Sequence, residues 1–173
     1  LPSTGLPGRP SPLNGCTLAG QREPVIQDSL NQLRSLPLTL DGVFRAPASD
    51  RSLLEAQARC GLALPEELRT MLRTFNGTTG PTDLDHGWLM FWPAEELEPA
   101  SRLTAGYKAY GHLIVFADHG VNSWWYGIEA AREDRQPSRV YILAREPEVV
   151  SPTLGGFLRA VLDDDPILYG KAG

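Results

Sequence analysis

Three histidines, His86, His112 and His119, and a carboxylate beside one of them, Asp118, have the greatest chemical reach in this chain. Imidazole titrates near neutrality and ligates zinc, so such a set raises two possibilities: a metal centre, or a general base with an acidic partner. Spacing argues against the metal, because no pair of these histidines has ligand spacing on a single helix and Cys60 lies elsewhere in the pattern. No metal and no cofactor is therefore expected. Cys60 falls near the end of an amphipathic helix, where a small apolar residue would serve equally, so a cysteine nucleophile has no better support. Glu66-Glu67 and Glu95-Glu96 are adjacent acids that invite an acid/base reading, but first-turn helix acids favour the macrodipole and lie in water. The sequence holds no Gly-rich phosphate loop.

Two other features suit binding better than catalysis. Between Thr74 and Ser101 there is no Lys or Arg, while Asp83, Asp85, Glu95, Glu96 and Glu98 accumulate. A negative field on that side would steer a basic partner, although solvated loop acids account for the same pattern. Trp124-Trp125-Tyr126 follows a turn that runs from Asp118 to Asn122. On a strand Trp124 and Tyr126 point to one face and Trp125 to the other, so an aromatic is aimed away from the core unless both faces are covered. An exposed aromatic of that size anchors an interface; burial under an N-terminal helix is the competing reading. The candidate binding set is Asp83, Asp85, Glu95, Glu96, Asp118, Asn122, Trp124, Trp125 and Tyr126.

These residues need elements to hold them. Pro65 suits the first position of a helix whose Leu68, Met71, Leu72 and Phe75 fall at i, i+3, i+4, i+7, and Asn76-Gly77 supplies a left-handed stop. Ser52 and Glu55 form a capping box for a shorter helix that Gly61 ends. Four runs then change period: Trp88 to Trp92, His112 to Ala117, Ser123 to Ile128 and Arg139 to Leu143. Rich in aromatic and β-branched residues and bounded by Gly, Pro, Asp and Asn, they predict strands of a mostly antiparallel, twisted sheet. Ser151 and Pro152 open a last helix with Leu154, Phe157, Leu158, Val161 and Leu162 inward. The fold class is α+β, with helices packed on one face of the sheet.

Composition bounds the answer. A chain of 173 residues suffices for one domain with a real core. With 16 basic against 21 acidic residues, a nucleic-acid backbone is a poor partner. No apolar run has membrane-spanning length, and two distant cysteines, Cys16 and Cys60, fit a reducing cytoplasm better than a disulfide framework. Residues 1–24, rich in Pro and Gly, read as a flexible tail; residues 25–48 as a helical extension; 49–165 as the domain; and 166–173 as a C-terminal tail.

The ordered set Leu64-Pro65, Glu67, Leu72, Asn76-Gly77, Trp92, Phe116-Ala117-Asp118, Gly120, Asn122, Tyr141 and the Ser151-to-Leu162 helix resembles the SUKH superfamily over about Ser52 to Asp164. Those α+β domains include bacterial toxin-immunity proteins and fungal cell-wall-synthesis regulators. The resemblance implies a non-enzymatic protein-binding domain, an immunity protein that neutralises a basic toxin domain such as a nuclease. A regulatory scaffold is the alternative it leaves open. A small hydrolase using His119 and Asp118 is a third reading, from another class.

Overall fold

Ser49, not Ser52, caps the helix that the sequence places here: its hydroxyl accepts the backbone N–H of Ser52, and helix α2 runs Asp50–Cys60 from there. The two serines lie three residues apart, so either fits the cap pattern; Glu55 pairs instead with Arg51 one turn earlier. Gly61 closes α2 in the left-handed conformation at φ 68°. Helix α3 spans Glu66–Thr74, with Pro65 extended just ahead of it. The computed structural model describes residues 26–38, 43–84, 88–120, 122–132 and 137–172. The proposed tail with Cys16, and Asp85 and His86, lie outside them.

Leu68, Met71, Leu72 and Phe75 are all fully buried, as the stripe requires. The Asn76-Gly77 stop is different from the expectation. Phe75 caps α3 in extended conformation, and the Asn-Gly pair serves a crossing of two backbones. Gly77 has φ 71°, and a Cβ there would stand 2.6 Å from the backbone nitrogen of Pro93. Asn76 fixes that crossing, its Oδ1 accepting the Ala94 N–H at 2.7 Å and its Nδ2 donating to Glu95.

Strands β1 (Leu89–Phe91), β2 (Glu98–Pro99), β3 (Leu113–His119), β4 (Trp124–Glu129), β5 (Val140–Leu143) and β6 (Pro147–Ser151) form one antiparallel sheet. Its order is β1-β3-β4-β5-β6, with β2 also on β3. The sequence reading missed β2 and β6. The last helix, α5, spans Leu154–Leu162 and is capped by Thr153, because Ser151 remains in β6 and binds the Thr153 carbonyl. Ahead of α2, helix α1 (Ile26–Ser35) packs against α5 and α3.

A register shift between Val115 and Ala117 places one extra residue in β3. Ile114 opposes Ile128 and Ala117 opposes Tyr126, so both fall on the face that carries α5; Phe116 meets Phe157 of α5 edge-on as well. Beyond the bulge Asp118 opposes Trp125 and His119 opposes Trp124. The helix face thus receives Phe91, Phe116, Tyr126, Ile128 and Ile142, a core closed by α3 and α5. Met90, Asp118, Trp125 and Leu143 share the second face. Helix α4 (Ala100–Leu103) and the 3-10 segment Ala105–Tyr110 reach it, with Tyr107 edge-on to Trp125 and its hydroxyl donating to the Ala144 carbonyl.

Candidate functional site

Residues of the second face line a cleft of about 290 Å³, between β1 and the turn from β3 to β4. Pro81, Met90 and Trp92 form its apolar wall; Glu96, Asp118 and Asn122 supply the polar groups. Asp118 is 4% exposed. Its Oδ2 accepts the Trp92 indole N–H at 2.6 Å and its Oδ1 the backbone N–H of Asn122 at 3.2 Å. Asn122 sits in the left-handed region at φ 64°, which asparagine tolerates, and its Oδ1 in turn accepts the Trp125 indole N–H at 3.0 Å. An Asp-to-Asn turn thereby fixes two tryptophans on one side of the sheet.

The predicted binding residues separate in space. Asp118, Asn122 and Glu96 line the cleft, Trp125 joins them through its hydrogen bond to Asn122, and Glu95 is exposed with its carboxylate on the Asn76 amide. Asp83 is half-buried and Asp85 lies outside the described residues. Trp124 is half-buried on the helix face, stacked on His119 with ring centres 4.3 Å apart and edge-on to Tyr169. Tyr126 is fully buried, packed on Phe157 with its hydroxyl donating to the Leu168 carbonyl, so as a surface contact it is corrected to a core residue. Three elements cover this aromatic strand: α5 and the C-terminal 3-10 segment Pro166–Ala172 on one face, and the 3-10 segment with Tyr107 on the other. The N-terminal helix is not what buries it.

Met90 and Trp92 belong to the cleft but not to the predicted set. Their signal was the alternation Trp88, Met90, Trp92 around the buried Leu89 and Phe91; Trp88 remains 52% exposed.

Adjacent strand residues point to opposite faces, and this rule separates His119 from Asp118. His119 faces α5 and Trp124, whereas Asp118 faces Trp92, so the dyad that a hydrolase would use is not assembled. Cys60 is buried with its thiol on the Leu97 carbonyl, and burial raises its pKa, opposite to what a nucleophile needs. Among the described residues no group of three or more His, Cys, Asp or Glu is placed to hold a metal ion. Glu67 departs from its expected role as a solvated acid: half-buried, it accepts the Leu154 and Gly155 backbone N–H groups at the start of α5.

The model of the SMI1 / KNR4 family (SUKH-1) matches residues 47–160. The chain belongs to this SUKH family. The match contains the whole cleft of the SUKH domain, from Pro81 to Asn122, and runs from ahead of α2 into α5. Comparison with curated proteins finds no match. No helix among the described residues is long and apolar enough to cross a membrane.

Proposed function

We propose that this SUKH chain is a non-catalytic, cytoplasmic immunity protein that neutralises a toxin by binding a basic surface of it, such as the face of a nuclease that meets nucleic acid. One observation carries the reading. The second-face cleft presents Glu96 to solvent beside the Trp92–Asp118–Asn122–Trp125 chain of hydrogen bonds, with the exposed Glu95 next to it in the chain, within a stretch from Thr74 to Ser101 that has no Lys or Arg. Opposite charge on a partner speeds encounter, and rigid, partly buried aromatics give such a contact its lifetime. Membership of the family supports protein binding in general.

The test is to isolate the protein that co-purifies with the tagged chain, produce it separately, and measure both association kinetics and relief of its toxicity in cells. Association should slow as salt rises, and Glu95→Gln with Glu96→Gln should lower the on-rate several-fold while dissociation changes little. Binding indifferent to salt and to both acids would end the charge-steered reading. Binding without relief of toxicity would place the chain among regulatory scaffolds.

A further inference from the structure

We propose that the cleft is a receptor for a single cationic side chain, arginine or lysine, projecting from the partner protein. The proposal rests on the reading of the domain as a binding module and assigns the chemistry of its anchor. Asp118 carries it. Its carboxylate is 4% exposed, and its hydrogen bonds come from two neutral donors, the Trp92 indole and the Asn122 backbone. A carboxylate offers about four lone-pair sites, so this one retains acceptor capacity toward the cleft it lines. Burying a carboxylate without a cation is costly, and a cation arriving from outside relieves that cost.

The remaining walls fit the same guest. Pro81, Met90 and Trp92 offer apolar surface to the aliphatic stem that lysine and arginine share, and an indole also attracts a cation. At the rim Glu96 is exposed, and its carboxylate holds no hydrogen bond among the described residues. With about 290 Å³ the cleft is at the small end of ligand sites, the scale of one side chain rather than of a cofactor. Trp92 and Glu96 both come from the stretch Thr74 to Ser101, which has no Lys or Arg.

The indole N–H of Trp92 reports directly on the Asp118 carboxylate, which makes nuclear magnetic resonance the natural measurement. The chain is titrated with N-acetyl-arginine amide, N-acetyl-lysine amide and, as a neutral isostere, N-acetyl-citrulline amide. Either cation should shift the Trp92 Nε1–H and Asn122 N–H signals saturably, with a Kd of about 1–10 mM for so small a probe. A tighter fit for arginine would identify bidentate recognition, and a tighter fit for lysine a point charge. Asp118→Asn should weaken binding about tenfold or more, and Glu96→Gln about two- to fivefold, since Glu96 lies in solvent. If Asp118→Asn does not fold, Glu96→Gln and the citrulline arm still decide. Equal binding of citrulline and arginine, or no response of Trp92 to either cation, overturns the assignment. A partner whose salt-dependent binding survives Asp118→Asn unchanged also removes the cleft from the interface, while leaving the domain a binding module.

Discussion

Glu67 in α3 accepts the backbone N–H of Leu154 at 2.9 Å and that of Gly155 at 3.4 Å, closing the N-terminus of a helix 87 residues further along the chain. The first N–H groups of a helix have no partner within it, and a negative charge there also meets the positive end of the macrodipole. Glu67→Ala should therefore destabilise the domain by about 1–2 kcal/mol, with Glu67→Gln between it and the native chain. Urea unfolding followed by circular dichroism checks this. An unchanged midpoint in Glu67→Ala would show that the bridge between α3 and α5 contributes nothing.

Gly77 makes a second prediction through backbone geometry. At φ 71°, with Pro93, Phe91 and Trp92 backbone atoms 2.6–2.7 Å from where a Cβ would stand, alanine is excluded both by conformation and by space. Gly77→Ala should cost more than about 1 kcal/mol and displace the Trp92 segment, because something in that crossing has to move. The change in the Trp92 indole N–H signal, read with the melting temperature, tests both parts.

Glu129 gives the fold a pH dependence. Burial pushes its carboxyl pKa upward, but the Arg139 side chain and backbone N–H and the Tyr141 hydroxyl outweigh that and hold it below the ordinary 4.5. A carboxyl depressed by folding adds stability above its unfolded pKa and loses it as pH falls through the folded value. Stability should drop as pH descends from about 4.5, and Glu129→Gln should flatten that part of the profile. Equilibrium unfolding at several pH values in native and mutant chains measures the difference.

Leu72, fully buried among the stripe residues of α3, tests the core itself. Leu72→Ala should leave a cavity and cost about 2–5 kcal/mol, a large part of a domain's stability. An unchanged melting midpoint would show the stripe is not what holds α3 to the sheet.

The long periodic elements were legible in the sequence because burial writes itself as spacing. The α3 and α5 stripes and the apolar runs of β3, β4 and β5 all reach the core. The elements missed had little period to show. β2 is Glu98–Pro99 alone, and β6 begins at Pro147 and carries Glu148 and a 47% exposed Val149, the composition of an edge. Caps slipped by a few residues wherever two Ser or Thr stood close together, as with Ser49 and Ser52 or Ser151 and Thr153. Of the residues that line the cleft, Asp118 and Asn122 were in the expected binding set because turn residues announce themselves. Trp92 was passed over because an aromatic beside a strand looks like core until its hydrogen bond to Asp118 is seen, and Met90 because an apolar strand residue carries no sign of which face it takes.

The irregularity at Val115 to Ala117 decides on which face of the sheet Asp118 emerges. Counted without it, position 118 keeps the phase of Ile114, and the carboxylate would be delivered beneath α5 among Phe157 and Tyr126, with His119 turned to the cleft. One added residue exchanges those destinations. The chain of apolar residues from Leu113 to Ala117 is thus a counting device as much as a core strand: its length in residues, more than their identity, determines where the acid emerges. Substitutions along it change packing, but a single insertion or deletion would transpose the inside and the outside of everything that follows up to the turn.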